Sequence, residues 1–247
     1  MLSLWKEFLN LVFPPQPECP FCGGAAPGCR ICSSCAEIIE GFGSQPYCRR
    51  CGRFAGKGAG FLNGPAAQKC RECGKRDWPF VVSRAAGPYE GILREAIHRF
   101  KYAGRPGLAG HLAVLMAEVA VREPLFAGID LILPVPLSGE KLRRRRFNQA
   151  ELLAREVGAL LGIKVDARSL TKVVDTPPQA ALAGPDRESN VREAFKLTDS
   201  GAVSGRNVLI IDDVFTTGST MSAAAAVLAG SGANKVYGLT AAAGRYL

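Results

Sequence analysis

Val208-Leu-Ile-Ile-Asp-Asp-Val-Phe-Thr-Thr-Gly-Ser-Thr220 is the stretch on which the reading of this chain turns. Four apolar residues lead into two adjacent carboxylates, then a short loop of hydroxyls and glycine, then a segment of helical composition from Ser219 to Ala229. An apolar run without alternation is what a central parallel strand, buried on both faces, requires. Two acids at its carboxyl end are foreign to a plain strand–turn–helix, because that end is where open α/β sheets take their ligands. The loop's N–H groups and hydroxyls, at the positive end of the next helix, suit a phosphate. Gly218 lets the backbone approach it closely. Asp212 and Asp213 can accept hydrogen bonds from sugar hydroxyls. The combination spells capture of a phosphorylated sugar.

Outward from this stretch, helix and strand patterns alternate. Helices are predicted over Tyr89–Tyr102, Leu108–Val121 and Asn148–Leu161, and strands over Ile129–Val135, Val165–Val174, Asn207–Val214 and Lys235–Ala241. That order predicts an α/β fold, a parallel sheet with helices on both faces. A second ligand loop is expected where the strand at Leu131 runs into Pro134-Val-Pro-Leu-Ser138. Just after it, Lys141-Leu-Arg-Arg-Arg-Arg146 places five cations in six residues. Lys141, Arg143, Arg144, Arg145 and Arg146 are read as anion-binding, for pyrophosphate or a nucleic-acid backbone, against the alternative of a solvated face. Lys101, ending a helix, can reach the same anion or simply favour the helix terminus. The proline-rich Asp175–Asn190 reads as a lid, with Thr176, Gln179, Arg187 and Asn190 as its polar candidates.

Upstream the texture changes. Residues 14–65 hold 10 Gly and 7 Pro, too many for an ordinary core, so this part needs a staple. All nine cysteines fall between Cys19 and Cys73, eight of them as Cys-x-x-Cys pairs. The pairs are Cys19/Cys22, Cys32/Cys35, Cys48/Cys51 and Cys70/Cys73. Each gives two thiolates to a tetrahedral zinc, and two pairs close a site. Eight ligands make two four-cysteine centres, structural because no coordination position stays open. Sequential pairing, the first pair with the second and the third with the fourth, is preferred over an interleaved scheme. Cys29 is spare, or replaces Cys35 through Cys29/Cys32.

The expected organisation is an N-terminal amphipathic helix over 1–18, a double zinc ribbon over 19–80 and an α/β domain over 81–247. With 47% hydrophobic residues and 8% aromatic ones, the 247-residue chain is not a disordered one. No apolar stretch approaches the ~20 residues of a membrane span, and no secretory signal is read, which places the chain in a reducing, cytoplasmic setting. The net charge of +9 is distributed as +4 over residues 1–80, +5 over 81–150 and 0 over 151–247. Two zinc–tetrathiolate centres, each of charge −2, would cancel the first share. What remains lies beside the second ligand loop, which favours a local phosphate site over a uniformly basic surface.

The Val208–Thr220 segment resembles the phosphoribosyl pyrophosphate (PRPP) signature of type I phosphoribosyltransferases. The resemblance implies that Asp212 and Asp213 face the ribose hydroxyls, that Thr216, Thr217, Gly218, Ser219 and Thr220 cradle the 5′-phosphate, and that Val135, Pro136, Leu137 and Ser138 form the pyrophosphate loop. It also implies Mg²⁺, held mainly by the ligand's oxygens. The wider order of motifs is similar to that of the ComF family. These are the paired Cys-x-x-Cys ribbons, His98-Arg-Phe-Lys-Tyr102, Pro134-Val-Pro-Leu137, Arg146-Phe-Asn-Gln149, Asp175-Thr-Pro-Pro-Gln179, Asn190-Val-Arg-Glu-Ala-Phe195 and Asp212-Asp-Val-Phe-Thr-Thr-Gly218. That family implies a double zinc ribbon fused to a phosphoribosyltransferase-type domain. It also implies work in natural transformation on incoming single-stranded DNA, with other DNA-uptake proteins as partners. The alternative is an active PRPP-dependent transferase acting on a small nitrogen nucleophile, with Asp212, Asp213 and Lys101 as catalytic groups.

Overall fold

A computed structural model describes residues 18–26, 31–56, 58–59, 68–173 and 194–246. In chain order the elements are α1 (Ser33–Phe42), β1 (Phe54–Ala55), α2 (Arg71–Lys75), β2 (Ser83–Ala85), α3 (Gly91–Tyr102) and α4 (Leu108–Arg122). There follow β3 (Leu131–Pro134), α5 (Gly139–Arg145), α6 (Gln149–Leu161), β4 (Leu170–Lys172), β5 (Phe195–Leu197), β6 (Asn207–Phe215), α7 (Ser219–Gly230), β7 (Lys235–Ala243) and β8 (Arg245–Tyr246). The helices of the α/β part start and stop close to where periodicity sets them. Asn148 caps α6, its Oδ1 accepting from Ala150 N at 3.1 Å.

The central sheet is parallel, ordered β2-β7-β6-β3. Its strands are apolar on both faces because both are covered. Leu209 and Ile211 of β6, with Leu239 and Ala241 of β7, pack under α3, α4 and α6. Val208 and Ile210, with Val236, pack on the other face, against α7 and Phe195 of β5. Burying each such aliphatic side chain contributes about 1.5–3 kcal/mol, so the strand run that opened the sequence reading is also the hub of both cores.

One strand is corrected. The continuous strand expected over Val165–Val174 is broken: Val165 makes a single parallel bridge to Ile132, and only Leu170–Lys172 pair with β5, antiparallel. The cause is Asp166, whose Oδ1 accepts from Arg168 N and Ser169 N at 2.9 and 3.1 Å, a side-chain turn that competes with the ladder.

The cysteine-rich part does not stand apart from this sheet. Cys19, Phe21, Cys35 and Phe42 join the core beneath α3 and α4. Cys48, Cys51, Cys70, Cys73 and Trp78 join the core on the α7 side. Strand β1 pairs in parallel with β8 at the far end of the chain, Phe54 opposite Arg245. The N-terminal helix expected over 1–18 falls, apart from Glu18, outside the described residues. So do Cys29 and the four lid candidates Thr176, Gln179, Arg187 and Asn190.

Candidate functional site

The β3–β6 register sets Pro134 opposite Ile211, and Val135 N donates to Ile211 O at 2.9 Å. The loop that begins at Val135 therefore leaves the sheet beside Asp212. Backbone pairing alone brings the two candidate loops to one carboxyl edge. Asn148 secures the first of them, donating from Nδ2 to Val135 O at 3.1 Å. Ser138 is buried at the end of this loop, and its Oγ has no hydrogen-bond partner.

At the end of β6, Asp213 N donates to Asp212 Oδ1 at 2.8 Å. Burial, then the neighbouring charge of Asp213, push the Asp212 carboxyl up to about 7, with Lys101 opposing. Lys101 Nζ lies 2.7 Å from Asp213 Oδ1, and both side chains are largely shielded. The lysine thus meets the acid pair directly. Past Phe215, Thr216, Thr217 and Thr220 are exposed, Ser219 is half-buried and Gly218 is buried. Thr217 Oγ1 and Ser219 Oγ are 2.9 Å apart. Gly218 takes φ +79 as the N-cap of α7, with no side chain capping the helix. Open amides at the head of a helix and a set of hydroxyls make an anion cradle.

The five cations are less uniform than their run suggests. Most of them ride on α5, which buries no residue. Arg143, Arg144 and Arg146 face solvent. Lys141 is half-exposed, and Arg145 folds inward, donating to Gln149 Oε1 at 3.1 Å and Tyr102 OH at 3.3 Å, with its guanidinium 5.2 Å from the Tyr102 ring centre. Gln149 is buried with its Nε2 unpartnered. Sequence reasoning missed this Tyr102–Arg145–Gln149 contact. Its only trace was the Arg146-Phe-Asn-Gln149 motif.

The cysteine sulfurs gather into two groups, Cys19, Cys22, Cys32, Cys35 and Cys48, Cys51, Cys70, Cys73, each with its sulfurs within 4.8 Å of one another. Cys22 and Cys32 Sγ are 3.8 Å apart, as are Cys51 and Cys70 Sγ. A tetrahedron with Zn–S of about 2.3 Å has an edge of roughly 3.8 Å, so the donor set and its spacing fit zinc. Hydrogen bonding from Cys51 pulls Cys48 far down, while Cys48 above all pushes Cys73 up. Four sulfurs this close cannot all be thiolates without a cation to share. Cys70 N donates to Cys48 Sγ at 3.3 Å, Arg53 Nη2 to Cys70 Sγ at 3.4 Å and Trp78 Nε1 to Cys73 Sγ at 3.2 Å. Such donors orient and tune ligating sulfurs.

The chain matches the double zinc ribbon domain over residues 8–74 and the phosphoribosyl transferase domain over residues 149–245. It is 33% identical over 180 residues to the DNA utilization protein YhgH of Salmonella typhimurium, covering 70% of this chain and 78% of that one. Over 160 residues it is 32% identical to competence protein F of Haemophilus influenzae, covering 63% and 70%. Competence protein ComFC of Bacillus subtilis is 26% identical over 151 residues, covering 59% and 57%. Among the described residues no helix is long and apolar enough to cross a membrane. The chain therefore carries a double zinc ribbon and a phosphoribosyltransferase-type domain, and it belongs to the ComF family.

Proposed function

We propose that this protein binds Mg²⁺–PRPP, or a closely related phosphosugar, across its two sheet-edge loops and works in the handling of transforming single-stranded DNA. The observation that carries the first half is the end of β6, where Asp212 and Asp213 stand between Val135 and the Thr216–Thr220 loop. In this reading the two acids take the ribose hydroxyls and the loop takes the 5′-phosphate. Val135–Ser138 borders the pyrophosphate, and Ser138 Oγ, buried and unpartnered, is a donor waiting for it. Mg²⁺, carried by the ligand's own oxygens, would neutralise charge on the pyrophosphate. Lys101 neutralises Asp213 in the free protein. Once ribose hydroxyls engage that carboxylate, the lysine and the cations of α5 supply counter-charge to the pyrophosphate. If a nitrogen nucleophile attacks C1, its C–N bond forms as the C1–O bond to pyrophosphate breaks. Positioning and fixed charge, not a covalent enzyme intermediate, would lower that barrier.

For the second half, the relatives' printed names concern DNA utilization and competence. On and just after α5, Arg143, Arg144 and Arg146 are exposed and Lys141 half-exposed, next to an exposed Tyr102 against which Arg145 packs. Cations beside a stacking ring are the ingredients of a single-strand site. Calorimetry with PRPP and Mg²⁺ tests the pocket: wild type binds and Asp212→Asn/Asp213→Asn does not, whereas absence of wild-type binding refutes it. Oligonucleotide affinity measured against salt tests the surface. The slope of log K against log salt becomes shallower when Arg143–Arg146 are replaced by alanine. An unchanged slope removes these residues from the DNA site.

A further inference from the structure

We infer that Trp78 couples the second metal centre to the phosphate loop, so that metal held by Cys48, Cys51, Cys70 and Cys73 sets the shape of the pocket formed by Thr216–Thr220. The inference rests on the phosphosugar reading of that loop and adds to it what holds the loop in place.

The geometry is short and continuous. Trp78 Nε1 donates to Cys73 Sγ at 3.2 Å. The opposite edge of the same indole lies beneath the loop: a Cβ placed on Gly218 would come within 2.8 Å of Trp78 Cη2 and 2.9 Å of Cζ3. One rigid ring thus touches a metal-ligating sulfur at one end and the loop's glycine at the other. It is 5% exposed and wedged in place, stacked on Phe80 at 5.1 Å between ring centres and tilted against Phe215 at 6.2 Å. Phe215 is the last residue of β6, and the same Gly218 Cβ would approach its Cζ to 2.5 Å. The chain around the indole is pinned as well. Arg50, from the Cys48/Cys51 turn, donates to Trp78 O at 3.1 Å, and the guanidinium of Arg76 lies 4.3 Å from the ring centre.

Packed aromatic groups transmit displacement because interiors have no slack to absorb it. With metal bound, Cys73 Sγ is fixed and the indole N–H has a charged acceptor at a set position. Once the metal is lost, that sulfur and the short helix α2 that carries it are released. The indole then loses its anchor, and the floor beneath Gly218 moves. Misplacement by about 1 Å at a binding site can cost up to ~100-fold in function. Among the described residues, the first four-cysteine group has no such contact with the Thr216–Thr220 loop. Its buried members join the core on the other face of the sheet.

Three variants test the coupling: Trp78→Phe, Cys73→Ser and, for the other centre, Cys22→Ser. Each is assayed for zinc per chain, for amide hydrogen exchange over Val214–Ser222 with β7 as reference, and for PRPP–Mg²⁺ affinity by calorimetry. Trp78→Phe is expected to keep two zincs per chain and to speed exchange at Thr216–Thr220 about tenfold while β7 stays unchanged. Its PRPP affinity should fall about tenfold. Cys73→Ser should speed loop exchange at least as much, and Cys22→Ser should leave it at the wild-type rate. Wild-type exchange in Trp78→Phe overturns the coupling. So does acceleration shared equally by β7, or a loop that responds to Cys22→Ser. If Cys73→Ser does not fold, the other two variants still decide between coupling and independence. If the loop responds as expected but wild type takes no PRPP, the coupling stands and the phosphosugar reading falls.

Discussion

The two four-sulfur groups sit on opposite faces of one sheet and are held there by different means. In the first, Cys19 and Cys35 are buried but Cys22 is exposed and Cys32 half-exposed. It is tied down by Arg99 of α3, which donates from Nη2 to Pro20 O at 2.9 Å and to Phe21 O, and by the solvent-facing pair Arg105–Glu18. In the second, all four cysteines are buried. Arg53 reaches both Cys70 Sγ and Glu72. Ser83 N donates to Arg50 O at 2.9 Å, Arg84 Nη1 to Arg49 O at 2.8 Å, and β1 pairs with β8. One group is docked on the sheet by side chains and the other is laced into it by backbone. The same Cys-x-x-Cys pairs in sequence have produced a peripheral clip and an internal strut.

The largest test of this contrast is metal removal. Structural zinc contributes ~10–16 kcal/mol in small zinc-finger peptides, of the same order as a whole domain's stability of about 5–15 kcal/mol. A strong chelator should take the first group's metal early with little change in circular dichroism. Release from the second should come later and carry a much larger loss of ellipticity. One release step, with all structure lost in it, would break the comparison.

A matched pair of substitutions probes it next. Gly23 and Gly52 each follow the second cysteine of a pair and take φ +75 and +74. Alanine costs about 1–2 kcal/mol at either from left-handed strain. At Gly23 the added carbon meets only the end of the Arg99 side chain, 3.1 Å away, which can move. At Gly52 it lands 2.6 Å from Ser83 O, in the backbone of β2. Overpacking there adds about 1–3 kcal/mol. Denaturant unfolding should find Gly52→Ala clearly the worse; equal losses would mean that the second ribbon is no more tightly joined than the first.

Arg99→Ala removes two charge-assisted bonds, each worth about 1.5–3 kcal/mol, from the first group's attachment. It should hasten release of the first metal and leave the second's kinetics alone, as read with a colorimetric chelator. A slower or unchanged first phase would show that the apolar contacts of Phe21 and Phe42 suffice.

The smallest effect concerns the acid pair, which belongs to the sheet edge and to neither ribbon. The folded state raises Asp212 from an ordinary value near 4 to about 7. A carboxyl raised on folding stabilises the fold fully below its unfolded value, and that stability is lost as pH climbs from there through the folded value. Between about pH 5 and about pH 7 wild type should therefore lose ground to Asp212→Asn, and above about pH 8 the gap should stay constant, with zinc content unchanged in both. Parallel melting curves across that window would mean that Asp212 is ionised throughout.

Much of this was legible beforehand. The run Val208–Ile211 carries its own argument, since a strand apolar on both faces demands two covers, and the acids at its end have no packing purpose. The four Cys-x-x-Cys pairs were likewise readable, because a local turn is all each half-site needs. Harder to see was the break at Asp166, where one side chain competes with a ladder. Arg145 was harder still: its neighbours in the run share its charge, and only the fold turns it toward Tyr102 and Gln149.

By itself, then, the sequence determined what local chemistry and periodicity can encode: a parallel α/β sheet, two four-cysteine centres, and a loop of hydroxyls behind two acids. Only the tertiary structure decided that the two centres lie on opposite faces, that β1 closes against β8 from the other end of the chain, that Lys101 meets Asp213, and that Trp78 stands between Cys73 and Gly218. These are contacts between single side chains or two-residue strands far apart in the chain. Such pairings leave no period and no motif, because they form only when sheet packing has already brought their segments together.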